Sequence, residues 1–127
     1  ANPDTQGSFR LLTGRYKPDF VGISEPNIIS LDQSTLLNNR GYSRLGTARN
    51  ASNLDGIWAL VHSRVENPNI FQEDNQIITC SFDTAGQKAY CSIFYAFNSY
   101  LDRRALWLKI RELSNTIFDP WSIIGDF

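Results

Sequence analysis

Two apolar runs separated by a tight turn constrain this chain more than any other feature. Ile77 to Phe82 and Ala89 to Phe97 are rich in aromatic and β-branched residues, the side chains that fit a pleated, half-buried surface. Between them, Asp83 to Gln87 contains Ala85-Gly86, a hairpin-type turn. An antiparallel pair is therefore predicted in the middle of the chain, and the other elements must pack around it. With 127 residues, 42% hydrophobic and 20% charged, the chain has material for one ordinary core, as a domain or part of one.

The flanking elements follow from local pattern. Ser8 to Tyr16 carries Phe9, Leu11, Leu12 and Tyr16 at roughly helical spacing. Lys17-Pro18-Asp19 breaks it, and Phe20 to Ser24 reads as a short buried strand that must stop at Pro26, which lacks a backbone donor. Ser34 to Arg40 suits a short helix closed by Gly41, and Tyr42 to Leu45 a strand. The polar stretch Gly46 to Asp55 reads as an exposed loop, with strands at Gly56 to Val61 and at Ile70-Phe71. Tyr100 to Ile117 is the strongest helix, with an apolar stripe assigned to Leu101, Leu108 and Ile117 beside Ala105 and Trp107. Asp119-Pro120 ends it, and Trp121 to Ile124 forms the last strand. This order predicts a mixed α+β layered fold with antiparallel pairs.

Several classes are excluded. Twelve Lys and Arg against thirteen Asp and Glu leave a net charge of −1, which rules out a broadly cationic nucleic-acid coat but not a local basic groove. No apolar run approaches the ~18 residues of a membrane span, and no N-terminal apolar stretch reads as a signal peptide. Two cysteines, Cys80 and Cys91, exclude a disulfide scaffold. They fall on the two strands of the predicted hairpin and are expected to be buried free thiols, a cross-strand disulfide being the alternative.

Two carboxylates follow predicted strands: Glu25 after Val21-Gly22-Ile23-Ser24, and Asp126 after Ile123-Ile124-Gly125. On neighbouring strands they would form an acidic site of hard oxygen ligands suited to Mg²⁺. From spacing alone, the commoner origin of such residues is turn formation or helix capping.

A family pattern adds to this. Lys17-Pro18-Asp19-Phe20-Val21-Gly22-Ile23-Ser24-Glu25-Pro26 resembles the "KPDIV-x-L-x-E" segment of the endonuclease/exonuclease/phosphatase family, which has the DNase I-like fold. Tyr95-Ala96-Phe97-Asn98 resembles its "Y-x-x-N" strand end, and Arg103, Leu106 and Trp107 its "R-x-x-L-W" helix. Pro120 to Phe127 resembles the start of its "PW-x-x-x-GDFN" block, and Asp55-Gly56-Ile57-Trp58 is similar to a "GGIW" strand. The matches run in the family's order over nearly the whole chain and are most similar to the endonuclease domain of plant LINE-type non-LTR retrotransposons.

The resemblance implies a DNase I-like layered β-sandwich with flanking helices, of which residues 1–127 make one partial domain, roughly the first half. It implies a Mg²⁺-dependent phosphodiesterase, with Mn²⁺ as an alternative metal. A retrotransposon DNA endonuclease comes first, and a phosphatase of the same fold or a catalytically dead relic are the alternatives. Glu25 matches the family's metal-binding Glu. Asp126 matches the Asp that positions the attacking water. Tyr95 and Asn98 match residues that hydrogen-bond the scissile phosphate. DNA is the implied substrate, a reverse transcriptase domain the implied companion in one polyprotein, and the location intracellular, nuclear or cytoplasmic, with no membrane. The family's early Asn, its Asn after GDF, its late Asp and its Asp-His pair have no match here, so the chain is expected to be a fragment truncated at both ends, marginally stable alone.

Other residues stay open or bland. His62, the single histidine, is assigned no role. Arg40, Arg44 and Arg49, with Asn50 and Asn53, would either contact DNA phosphates or punctuate a solvated loop. Arg103-Arg104 reads as a solvated face or an ion pair with Asp102 or Glu112. Trp58, Trp107 and Trp121 are assigned to the core.

Overall fold

The computed structural model of the chain describes residues 15–24, 41–49 and 55–126. Seven strands and a helix follow one another among these residues: β1 (Phe20–Ser24), β2 (Tyr42–Arg49), β3 (Asp55–His62), β4 (Glu66–Glu73), β5 (Ile77–Thr84), β6 (Gln87–Tyr95), α1 (Tyr100–Thr116) and β7 (Trp121–Asp126). They form a three-stranded sheet in the order β1-β3-β2 and a four-stranded sheet in the order β4-β5-β6-β7. All pairings are antiparallel except β6 with β7, which are parallel and joined through α1, because a parallel return needs a crossover.

The central hairpin forms as its pattern predicts. β5 and β6 pair from Ile77↔Phe94 to Thr84↔Gln87. The two residues between, Ala85 (φ 51) and Gly86 (φ 76), both sit in the left-handed region, the two-residue geometry whose twist matches paired strands.

Alternation along these strands sorts the core into layers. Ile78, Cys80, Cys91 and Ile93 meet Ala48, Ile57 and Ala59 between the sheets. Ile77, Phe94 and Ala96 face the other way and pack against Leu106, Leu113 and Ile117 of α1 and its C-terminal cap. Tyr42, Trp58 and Leu60 form a third cluster, on the outer face of the three-stranded sheet, with Val21 and Ile23 against it. The result is the expected α+β sandwich with a flanking helix.

Three sequence expectations change. The stretch from Gly46, read as loop, continues β2 to Arg49, because Thr47 and Ala48 pair with Trp58 and Ile57. The ladder takes up the irregular sequence as a register shift between Arg44 and Gly46. Arg44 is thus on a strand, with its guanidinium 4.9 Å over the Trp58 ring, and Arg49 is the last residue of β2. On α1, Leu101 and Leu108 do not face the core: they are 72% and 52% exposed. The buried stripe is Leu106, Ile110, Leu113 and Ile117, and Trp107, expected in the core, is 51% exposed. The helix at 34–40, most of that at 8–16, and Arg40, Asn50 and Asn53 lie outside the described residues. No helix among the described residues is long and apolar enough to cross a membrane.

Cys80 and Cys91 are direct register partners, free and buried as expected. Burial pushes the Cys80 thiol up from 9.0 to about 12, with Cys91 and Glu73 adding to it. Burial likewise raises Cys91 to about 11. A thiol titrating higher in the folded chain than in the unfolded one leaves stability complete below about pH 9, and that stability is lost as the pH climbs toward 11 and 12. Denaturant midpoints are expected to fall between pH 8.5 and 10.5, less steeply in a Cys80→Ala/Cys91→Ala variant. A parallel fall in both proteins would remove the thiols as the cause.

Candidate active site

β1 is anchored at its start by a knot of polar contacts. The Tyr42 hydroxyl donates to the Pro18 carbonyl. Arg64 pairs with Asp19 at 2.6 Å and also donates to the Lys17 carbonyl. The His62 amide donates to the Asp19 carbonyl at 2.9 Å. Desolvation raises the Tyr42 phenol, partly opposed by Arg64. The Lys-Pro-Asp segment is therefore a structural clamp at one end of the sheet.

The other end of β1, Ser24, pairs with Ile57. His62 lies five residues along β3 from Ile57, roughly 16 Å at strand rise, which separates it from this end. Gly22 lets β1 approach β6, since a Cβ there would overlap Ile93 Cγ2.

β7 is seated against β6 by its first residue and its fifth. The Trp121 indole N–H donates to Ser92 Oγ at 2.8 Å, and Ser92 Oγ also bonds Thr79 Oγ1 at 2.8 Å. The Tyr90 amide donates to the Pro120 carbonyl at 2.8 Å. Gly125 pairs with Phe94, where a Cβ would come within 2.6 Å of Phe94 ring carbons and closer to its carbonyl oxygen. The next pair in register is Tyr95↔Asp126.

These strand ends enclose a cleft of about 160 Å³ lined by Gly22, Ser24, Ile57, Ile93, Phe94, Ile124 and Gly125. Its lining is mostly apolar. The sequence-predicted residues are not among these lining residues, and their places in the chain are as follows. Tyr95 ends β6 half-buried, packed against the inter-sheet cluster. Asp126 ends β7 as its register partner. Asn98 is exposed in the connection between β6 and α1. Glu25, next in the chain after Ser24, lies outside the described residues.

The connection carrying Asn98 is held by a residue that sequence reading missed. Gln76, 3% exposed, accepts the Phe97 amide at Oε1 (2.8 Å) and donates from Nε2 to the Asp102 carbonyl (2.7 Å). Its own carbonyl accepts the Tyr95 amide at 3.0 Å. Arg103 completes the hold by donating from Nε to the Phe97 carbonyl at 3.0 Å. Of the two readings left open for it, a solvated face or an ion pair, it is exposed as on a solvated face and adds this backbone contact. A polar residue just before a strand ordinarily signals a turn, so nothing in the local sequence marks Gln76.

The residues that the resemblance assigns, Glu25, Tyr95, Asn98 and Asp126, carry oxygen, the donor type that a hard cation takes, whereas the thiols lie mid-strand and His62 ends β3. Among the described residues no three His, Cys, Asp or Glu side chains cluster as a metal site.

No protein-family model matches the sequence, and a comparison with curated proteins gave no match. Solved structures do match. The endonuclease domain of TRAS1, a telomere-specific non-LTR retrotransposon, aligns with a TM-score of 0.68 at 12% identity, over 98% of this chain and 53% of that one. The human Nocturnin catalytic domain with bound sulfate anion aligns at 0.66 and 14% identity, over 97% of this chain and 56% of that one. The chain has the DNase I-like fold. It spans about half the length of both DNase I-like structures.

Proposed function

We propose that this chain is part of a divalent-metal-dependent phosphodiesterase, the DNA endonuclease of a retrotransposon. The observation that carries the reading is the convergence of β1, β6 and β7 on one cleft. The resemblance gives roles to Glu25, next in the chain after β1, to Tyr95 and Asp126, the last residues of β6 and β7, and to Asn98, three residues beyond β6. The fold-level likeness to a retrotransposon endonuclease domain supports it, as does the sulfate, a phosphate-like anion, held by the Nocturnin domain.

A bound Mg²⁺ or Mn²⁺ would supply Lewis-acid stabilisation of a phosphoryl oxygen. Glu25 would hold it. The Asp126 carboxylate would orient a water in line with the scissile bond and accept its proton. The Tyr95 hydroxyl and the Asn98 amide would donate to non-bridging oxygens, where charge grows in the transition state. DNA is the substrate in this reading, a reverse transcriptase domain accompanies the chain in one polyprotein, and the place of action is the nucleus.

Nicking of supercoiled plasmid in Mg²⁺ tests the proposal. Nicks are expected to stop with EDTA, return with Mg²⁺, and disappear in Glu25→Ala. Nicking retained by Glu25→Ala would remove the metal-ligand assignment. Phosphate release from a mononucleotide with no nicks would turn the reading to a phosphatase of the same fold.

A further inference from the structure

We infer that Gln76, assisted by Arg103, is a positioning residue that presents Asn98 to a phosphodiester at the cleft. The inference rests on the function proposed above. Burying an amide is costly unless both ends are hydrogen-bonded. The Gln76 amide spends both ends on the connection between β6 and α1. Its oxygen takes the Phe97 N–H and its nitrogen reaches the Asp102 carbonyl in the first turn of α1. Those two partners fix which way the amide points, since one is a donor and the other an acceptor.

The flanks of Asn98 are thereby tied on both sides. Before it, the Tyr95 N–H and the Phe97 N–H both end on Gln76. The Phe97 carbonyl ends on the Arg103 guanidinium. After it, the Ser99 carbonyl accepts the Arg103 amide at 3.0 Å. Asn98 is left exposed on a short backbone held to the end of β6, the start of β5 and the start of α1. A side chain that must meet a phosphate oxygen within a fraction of an ångström needs such support from residues that do not touch the substrate.

The test follows the Asn98 backbone and side-chain amides by NMR in the full chain, titrated with a DNA dinucleotide, which contains a single phosphodiester, in Mg²⁺. Gln76→Met keeps the volume and removes both hydrogen bonds. Arg103→Ala, at an exposed position, removes the second hold without threatening the fold. Cys80→Ala serves as a destabilised control far from the connection. Wild type is expected to show a saturable shift at Asn98, weakened about tenfold in Gln76→Met and about threefold in Arg103→Ala, with Cys80→Ala unchanged. Binding within twofold of wild type in both Gln76→Met and Arg103→Ala would overturn the positioning role while leaving the functional reading intact. An equal loss in Cys80→Ala would assign the effect to general destabilisation and overturn it as well. No shift at Asn98 in wild type would overturn both.

Discussion

Replacing Gly125 with alanine is expected to cost about 3 kcal/mol of stability, at the upper end for an overpacked site. The reason is what the new methyl group would meet. It would face the Phe94 carbonyl oxygen and lie within 2.6 Å of Phe94 ring carbons. Phe94 is 4% exposed and holds α1 to the sheet, so neither its ring nor its backbone has space to retreat. Gly22→Ala should cost less, about 1–2 kcal/mol, because the obstacle there is a side-chain methyl, Ile93 Cγ2, rather than backbone and an aromatic ring. Urea unfolding of the two variants measures both. A Gly125→Ala protein within about 0.5 kcal/mol of wild type would mean that β7 is not seated as described. The same substitution would displace Asp126, the next residue, so any plasmid nicking should fall with it.

Leu106→Ala is expected to cost about 3 kcal/mol, and Leu101→Ala and Leu108→Ala less than about 0.5 kcal/mol each. Leu106 is 2% exposed among Ile77, Phe94, Ala96, Leu113 and Ile117. Truncation there opens a cavity that the β6–α1 contact cannot close. Leu101 and Leu108 lie on the opposite side of the helix and lose little by truncation. Thermal or urea unfolding of the three variants separates the faces. Equal losses at Leu106 and Leu108 would show that α1 is rotated from the described orientation.

That helix shows where the sequence runs out. Apolar side chains occupy both of its faces, so periodicity alone does not choose between the stripe through Leu101 and Leu108 and the one through Leu106, Ile110, Leu113 and Ile117. The choice is made by shape against Ile77 and Phe94. The central hairpin was legible because alternation and the Ala85-Gly86 turn point the same way. β2 was only half legible: Gly46 to Arg49 has too little apolar material to signal a strand, and becomes one because β3 has backbone groups to pair. The strand ends that carry Tyr95 and Asp126 could be placed from short motifs. Gln76 could not, since its partners lie 21 and 26 residues further along the chain, and no local pattern records a contact of that separation.

The parallel pairing of β6 with β7 has a kinetic consequence. The β5–β6 hairpin closes over a two-residue turn, an event of microseconds. Tyr95 and Asp126 meet only across the whole of α1, and contacts so distant along the chain are slow to form because the intervening segment must be ordered first. The edge of the sheet where chemistry is proposed thus closes after the hairpin, once α1 is ordered. Trp121, bonded to Ser92 at the start of β7, is the natural fluorophore with which to time that closing step.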